Sequence, residues 1–233
     1  MSRSSSLGRV LGPSLRAAVR HWPAMLAIQF GAVLLVVAYY QSDAVRRVAA
    51  EVIAFKVAGG WPMAFAAGFI ACGVVPEVAK QLTGRSVADL RAHMGLAFFT
   101  GCVYGLESIL VDGLYWLLAL WFGEAVDLRT LVLKVLADML IFAPIISIPT
   151  CMALFEWRRR RYRLRETWVA LGDRFYRDRV LPALAPCWIY WTPILFCIYA
   201  LPTNLQLPVS LLALAAWSIV LVFIATETHA PPP

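Results

Sequence analysis

The chain has 233 residues, of which 61% are hydrophobic and only 15% charged, and its formal net charge is +7. Soluble domains carry about 25% charged residues, so this composition, with a mean hydropathy of +0.72, excludes an ordinary soluble globular protein. Several separate apolar stretches approach the ~20 residues that a helix needs to cross a bilayer. The sequence therefore predicts an integral membrane protein, an all-α, polytopic transmembrane helix bundle of about six spans.

The N-terminal region, residues 1–60, begins with a basic arm. Residues 1–22 contain four Arg and no acid, which is typical of a cytoplasmic arm that orients the next helix or, alternatively, of a mitochondrial presequence. The first span is predicted from Met25 to Tyr40. We interpret it as a retained anchor, with a signal peptide as the minor alternative.

An amphipathic helix is predicted after this span, over residues 42–57. It places Val and Ala on one side, whereas most of its charges, including Lys56, lie elsewhere, which is typical of a helix in the membrane interface. The pair Gly59-Gly60 then predicts a break in the chain. The second span is predicted from Trp61 to Val75, at the start of the transmembrane bundle of residues 61–226.

The third span, from Met94 to Gly123, is apolar except for two acids, Glu107 and Asp112. An ionisable group at membrane depth usually faces a bundle interior or a wet cavity. One face of this helix carries polar and small residues at helical spacing, namely Gly101, Tyr104, Gly105, Ser108, Asp112, Tyr115 and Ala119. We therefore expect other helices to cover this face.

The fourth span, over residues 131–155, combines charges with prolines. Lys134 and Asp138 are four residues apart and close enough to pair, although partners on other helices matter more for this charge order. Pro144 and Pro149 each remove a backbone donor and kink the helix. In lipid the freed carbonyls must be satisfied internally, so this helix is predicted to lie in the bundle interior.

The loop of residues 156–180 is the strongest cluster of positive charge. Its arginines are predicted to contact anionic lipid headgroups on the cytoplasmic leaflet, and we expect the bilayer rather than a nucleic acid as its partner. The predicted headgroup contacts are Arg158, Arg159, Arg160, Arg161, Arg163 and Arg165.

The last two spans are predicted at residues 181–201 and 207–225. The first of them is so rich in proline that a broken or tilted crossing is expected rather than one straight helix. The end of the chain, residues 227–233, is predicted to be a disordered tail.

The distribution of Lys and Arg predicts the orientation. If the N-terminus is cytoplasmic, sixteen of these residues lie on the cytoplasmic side and four lie on the other side, with Lys134 inside a span. Because this bias sets the orientation of short loops, both termini are predicted to be cytoplasmic, which requires an even number of spans.

No enzyme, cofactor or metal site is predicted. The chain has no Gly-rich phosphate loop, no HExxH and no G-x-S-x-G motif. The five Cys lie in apolar stretches without a CxxC pair, and the three His are far apart, so neither set has the spacing of metal ligands. Formation of a homo-oligomer is left open.

The fourth span resembles a known family. The segment LVLKVLADMLIFAPIISIP resembles the K-x-x-x-D-Q-x-x-x-x-P segment of the Mpv-seventeen/peroxisomal-membrane-protein family, with Lys134, Asp138 and Pro144 in place and Met139 where the family has Gln. The segment FYRDRVLPALAPCWIYWTP resembles the family's acidic-basic loop and W-P element. The spacing from Pro202 to Trp217 resembles its closing P…W spacing.

The resemblance implies a compact bundle with a four-helix core, to which the first span is an N-terminal extension. It also implies a bacterial inner membrane or, alternatively, a mitochondrial inner membrane. Members of the family are similar to weakly selective pores for small solutes or to factors for membrane homeostasis, and no enzymatic chemistry is implied.

Two functions therefore stay open. In the first, the protein is a weakly selective channel or transporter, and opposing charges tune the field inside a wet pathway. In the second, the same charges form a closed cluster in a non-transporting scaffold. The surplus of acids over Lys in the spans slightly favours transport. The candidate pore-lining or buried charged residues are Tyr104, Glu107, Ser108, Asp112, Tyr115, Lys134 and Asp138.

Overall fold

The computed structural model describes residues 22–82, 90–172 and 174–227, and within these ranges the chain is helical apart from short turns, without a strand. The predicted all-α class is thereby confirmed. The basic arm as far as residue 21, part of the second loop and residues 228–233 lie outside the described residues. The predicted tail starts at residue 227, whereas in the structure Glu227 is still part of the last helix.

Nine α-helices and three π-helical segments follow one another in the described ranges. The helices are α1 (Trp22–Gln41), α2 (Asp43–Phe69), α3 (Val75–Leu82), α4 (Leu90–Phe122), α5 (Leu128–Ala137), α6 (Ile148–Arg159), α7 (Leu164–Ala170), α8 (Leu181–Tyr199) and α9 (Thr203–Glu227). The π-helical segments are π1 (Ile70–Val74), which joins α2 to α3, π2 (Asp138–Ser147), which joins α5 to α6, and π3 (Tyr176–Val180), which leads into α8.

Five helical segments are long and apolar enough to cross a membrane. They are Trp22–Gln41, Asp43–Leu82, His93–Phe122, Leu128–Arg159 and Tyr176–Tyr199. Helix α9 contains a shorter apolar segment, Thr203–Ile219. Length and composition thus identify a multi-pass membrane protein, and each of the predicted spans corresponds to one of these helical segments.

The core lies where α4, π2, α8 and α9 meet. Tyr190, Ile194 and Ile198 of α8 and Leu207 of α9 are completely inaccessible. Helix α1 is peripheral, since Met25 is its one buried residue among those described, and it packs mainly against α8. This arrangement agrees with an N-terminal helix added to a bundle.

A sharp kink divides α2 at the predicted break. Gly60 has φ 53° and ψ −143°, a conformation outside the helical region that glycine adopts readily because it lacks a Cβ atom. In the part before the kink, Ala49 of the predicted apolar side is buried, whereas Val48 and Phe55 of that side are exposed, as are Arg47 and Glu51. Lys56 differs from the prediction, because its side chain turns inward to Asp112.

The glycines of α4 bring α2 close to it. A Cβ atom on Gly105 would lie 2.8 Å from the ring of Phe65, and one on Gly101 would lie 2.7 Å from the ring of Phe69. Membrane helices associate through such small residues because apolar burial does not distinguish a helix partner from lipid. Part of the polar face predicted on α4 therefore serves helix packing.

Four prolines of the bundle, at positions 76, 144, 149 and 193, leave carbonyls that side chains of other helices satisfy. In a π-helix each N–H bonds to the carbonyl five residues earlier, so Pro144, which has no N–H, leaves the Met139 carbonyl without that partner. The Trp188 indole of α8 donates a hydrogen bond of 2.8 Å to this carbonyl. A side chain thus replaces the missing backbone donor.

The same replacement occurs at two further π-helical positions. Pro149 leaves the Pro144 carbonyl free, and the Tyr176 hydroxyl donates to it over 3.3 Å. Pro76 follows π1 and leaves the Ala71 carbonyl free, and the Ser218 hydroxyl of α9 donates to it over 3.1 Å. The requirement for internal satisfaction of freed carbonyls is met at these sites.

In α8, a side chain of a neighbouring helix likewise replaces a backbone donor that a proline removes from an α-helix. Pro193 removes the donor that would bond to the Ile189 carbonyl four residues earlier, and the Gln29 amide of α1 donates to that carbonyl over 3.1 Å. Helix α8 is continuous through Pro186 and Pro193. Of the two predicted alternatives, the broken helix is therefore wrong, and the tilted crossing stays a prediction. At Pro193 the neighbouring helix supplies the missing donor.

Replacing Trp188 with Phe should destabilise the bundle by about 1–3 kcal/mol, because it leaves the Met139 carbonyl unpaired. The unfolding midpoint of the purified protein in detergent measures this loss. Trp116→Phe, on the exposed side of α4, is the matched control. Adding Pro144→Ala to Trp188→Phe restores a backbone donor and should recover part of the loss, whereas equal midpoints for Trp188→Phe and wild type would contradict this role.

Candidate functional site: a cavity in the helix bundle

A cavity of about 410 Å³ lies in the bundle between α4, π2, α6, α8 and α9. Its wall is largely apolar, and none of the described residues that line it is Lys, Arg or His. The side chains in the wall with polar atoms or sulfur atoms include Tyr104, Glu107, Ser108, Tyr115, Asp138, Ser147, Cys151, Cys187, Tyr190, Trp191, Ser210 and Trp217.

Helical geometry explains which part of α4 reaches the cavity. Successive residues are about 100° apart around the helix, so Tyr104, Ser108 and Tyr115 lie within roughly 40° of one another. Glu107 lies about 60° to one side of Tyr104, and Asp112 lies about 80° to the other side. The structure places the first four in the cavity wall and turns Asp112 toward α2.

Asp112 forms an ion pair with Lys56 of α2. The Lys56 Nζ atom is 2.8 Å from the Asp112 Oδ1 atom, and the two side chains are only 11% and 12% exposed. Lys56 is also 3.5 Å from the amide oxygen of Asn204. Asp112, a candidate for either a pore-lining or a buried charge, therefore lies outside this cavity as a buried charge paired with a cation from a neighbouring helix.

Sequence reasoning assigned Lys56 to a loop helix and missed this contact. The available signal was the isolation of Lys56 within the apolar stretch from Val52 to Ala58, just before the Gly60 kink. A lone Lys at such a position is expensive in a bilayer and needs an acid on another helix. Which acid it takes depends on the packing of α2 against α4.

Asp138 lines the cavity at the start of π2. Its Oδ2 atom accepts a hydrogen bond of 2.6 Å from the Tyr199 hydroxyl of α8. Lys134 and Asp138 do not form the predicted ion pair, and each of them contacts Tyr199 instead. The Lys134 Nζ atom is 6.0 Å from the centre of the Tyr199 ring, which is within the range of a cation–π contact, and Lys134 does not line the cavity.

Glu107 also lines the cavity, and on α4 it lies on the other side of Tyr104 from Asp112. It is 8% exposed, and the Cys151 thiol of α6 donates to its Oε2 atom over 3.7 Å. The Ser147 hydroxyl at the end of π2 is a second hydrogen-bond partner. Both partners are neutral, so Glu107 and Asp138 lie in one cavity whose described lining contains no positively charged side chain.

A second cavity of about 270 Å³ lies next to the first, at the end of the bundle that carries the basic loop. Tyr104, Leu214 and Trp217 line both cavities and therefore form the partition between them. Glu77 and Lys80 lie in the wall of the second cavity, with 2.6 Å between their charged atoms. A polar region thus leads from this end of the bundle toward the partition.

Three of the six arginines predicted to contact headgroups have carboxylate partners within the protein. Arg159 and Arg160 both bind Glu156, at 2.8 Å and 2.9 Å. Arg163 binds Glu166 at 2.8 Å, and this hydrogen bond raises the pKa of its guanidinium. Arg158 lies over the ring of Phe99. The remaining two, Arg161 and Arg165, are exposed. Headgroup contact stays a prediction.

Among the residues that the structure describes, no group of three His, Cys, Asp or Glu side chains is placed to hold a metal ion. The five Cys are free, and each is buried or half-buried. The sequence did not single out Ser147, Tyr190, Trp191, Ser210 and Trp217 as site residues. Four of them come from α8 and α9, whose position relative to α4 the sequence does not reveal.

The helices and the cavity define the class of the protein as a multi-pass helical membrane protein. Comparisons with protein-family models, with curated proteins and with solved structures found no significant match. The resemblance to the Mpv-seventeen/peroxisomal-membrane-protein family therefore stays a prediction that rests on the segments quoted above.

Proposed function

We propose that the protein is a channel or transporter that passes small solutes through the cavity between α4, π2, α8 and α9. The observation that carries the proposal is the position of Glu107 and Asp138, which are 8% and 6% exposed and face a cavity of about 410 Å³. Acids at membrane depth are expensive and commonly mark a solute or ion pathway. A closed bundle without a solute would gain from filling this volume with apolar side chains.

The second cavity and the π-helical segment support the proposal. The two cavities are separated by the Tyr104, Leu214 and Trp217 side chains, so a solute would pass from one to the other only after a rearrangement of this partition. Segment π2 lines the first cavity, and π-helical turns within helices occur frequently at functional sites. A solute entering from the basic end would pass Glu77 and Lys80 before it reached Glu107.

We further propose six spans, with both termini on the cytoplasmic side of a bacterial inner membrane or, alternatively, of a mitochondrial inner membrane. Helix α9 supports the even number, because it packs within the bundle against α2, α3, α4 and α8. The inward position of Lys56 strengthens the charge asymmetry, since it leaves three rather than four basic residues on the other side.

Solute flux in proteoliposomes tests the proposal. We expect wild type to pass small neutral and cationic solutes, and Glu107→Gln and Asp138→Asn to reduce the flux of cations about tenfold or more, since each removes a charge-assisted contact worth about 1.5–3 kcal/mol. Glu51→Gln changes an exposed acid on α2 and should leave the flux unchanged. Absence of flux for every solute with folded wild type would remove the transport proposal.

A scaffold is the second candidate, and the Lys56–Asp112 ion pair favours it. This pair and the Tyr199–Asp138 hydrogen bond each join two helices and fix their register. In a scaffold these contacts serve stability alone, so Glu107→Gln would change neither a flux nor a binding property. The flux experiment therefore separates the two candidates.

A further inference from the structure

The solute class follows from three properties of the cavity, which are its charge, its aromatic wall and its size. The described lining has two ionisable carboxyl groups, Glu107 and Asp138, and no basic side chain, since Lys56 and Lys134 lie elsewhere. An anion in this cavity would be repelled by both acids. A cation would give them the counterion that the described wall does not supply.

Aromatic rings form much of the remaining wall. The cavity is lined by Tyr104, Tyr115, Tyr190, Trp191 and Trp217. Two of these rings are held in orientation by contacts, since the Tyr190 and Trp217 rings are tilted by 30° at 4.4 Å and the Tyr190 hydroxyl donates to the Ala213 carbonyl over 2.7 Å. The faces of aromatic rings attract cations, and substituted ammonium groups are the ligands that such cages recognise.

Size and ligand geometry distinguish an organic cation from a metal ion. A cavity of about 410 Å³ lies within the ~300–1,000 Å³ range of small-molecule sites. The described side chains contain no group of three metal-ligating residues. A hydrated inorganic ion would also leave its water shell against a wall that is mostly apolar, whereas the methyl groups of an alkylammonium ion match such a wall.

We propose that the cavity binds a small organic cation with a substituted ammonium group, placed between the Glu107 and Asp138 carboxyls and against the faces of the surrounding Tyr and Trp rings. This inference rests on the proposed function, because it names the solute class of the same site. The cavity would select solutes that carry a positive charge and have apolar groups around that charge.

Binding of two probes of equal shape tests the proposal. The probes are choline and its neutral isostere, in which a tert-butyl group replaces the trimethylammonium group. With purified full-length protein in detergent, titration calorimetry should show choline binding at least about tenfold more tightly than the isostere, and the intrinsic tryptophan fluorescence, to which Trp191 and Trp217 contribute, should change on binding. Equal affinities, tighter binding of the isostere, or no binding of choline would overturn the proposal.

Variants connect the binding to this cavity. Glu107→Gln and Asp138→Asn should each weaken choline binding about tenfold and leave binding of the isostere unchanged. Trp217→Leu should weaken choline binding while both acids remain, and it keeps the test available if an acid variant does not fold. Glu51→Gln should bind as wild type does. Choline binding unaffected by all three cavity variants would place the site elsewhere and overturn the proposal.

The outcomes separate this inference from the proposed function. If proteoliposomes pass neutral solutes but the purified protein does not prefer choline over its isostere, transport stands and the cationic specificity is wrong. If the protein prefers choline in the Glu107-dependent manner but passes no solute, the binding site stands and the transport proposal is wrong.

Discussion

Lys56→Met is expected to destabilise the protein by about 3–5 kcal/mol, because it leaves the Asp112 carboxylate buried without its counterion. The pair lies between α2 and α4 with both side chains almost fully covered. Water therefore cannot replace the lost partner, as it would at a surface. The unfolding midpoint of the purified protein in detergent is the measurement.

A double variant separates two contributions to this destabilisation, which are the loss of the ion pair and the cost of burying an unpaired Asp112 carboxylate. Lys56→Met with Asp112→Leu replaces both charges by apolar groups and should recover most of the stability, since buried ion pairs are often no more stable than a well-packed apolar pair. Arg46→Met is the matched control on the same helix. Its partner Asp43 is 80% exposed, and the hydrogen bonds of Arg46 to the Tyr39 and Tyr40 carbonyls are exposed as well, so we expect a loss below about 1 kcal/mol. A small effect of Lys56→Met alone would show that the two side chains do not depend on each other.

Gly68→Ala is expected to destabilise the packing of α2 on α4 by about 1–3 kcal/mol or more, because the added methyl group has no space. Its Cβ atom would lie 2.5 Å from the Tyr104 carbonyl oxygen and would also overlap the Ser108 side chain. The backbone of α4 cannot yield without moving Tyr104 and Ser108, which line the cavity. We therefore expect loss of solute flux together with a lower unfolding midpoint.

The matched control for this variant is Gly113→Ala on α4. A Cβ atom at Gly113 would have no heavy atom within 4 Å. Alanine also has a higher helix propensity than glycine by about 1 kcal/mol, so stability should be equal or slightly higher. If Gly68→Ala and Gly113→Ala had equal midpoints, the close approach of α2 and α4 at Gly68 would be wrong.

Local patterns of the sequence predicted the helices, the Gly60 kink and the need to satisfy carbonyls freed by prolines. The apolar stretches have the length of spans, Gly-Gly interrupts α2, and Pro144 cannot donate. Each of these properties belongs to neighbouring residues, so the sequence carries it directly. The all-helical class and the candidacy of Tyr104, Glu107, Ser108, Tyr115 and Asp138 as buried residues could be predicted for this reason.

The partners of the charged groups could not be predicted in this way. Asp112 and Ser108 are four residues apart on α4, yet Asp112 binds Lys56 outside the cavity, whereas Ser108 lines the cavity and also packs against Gly68 of α2. Lys134 and Asp138 are also four residues apart, and each contacts Tyr199 of α8 rather than the other. Spacing of four residues gives a common face but not the neighbour that covers it.

The sequence by itself determined a helical membrane protein with buried acids, kinked spans and a basic loop, because hydropathy, helix period and proline chemistry act within a few residues. Only the tertiary structure decided that Lys56 neutralises Asp112, and that Glu107 and Asp138 share a cavity whose described wall contains no positively charged side chain. The physical reason is that a charge at membrane depth is stabilised by whatever group the packing brings within a few ångströms, and that group belongs to another helix.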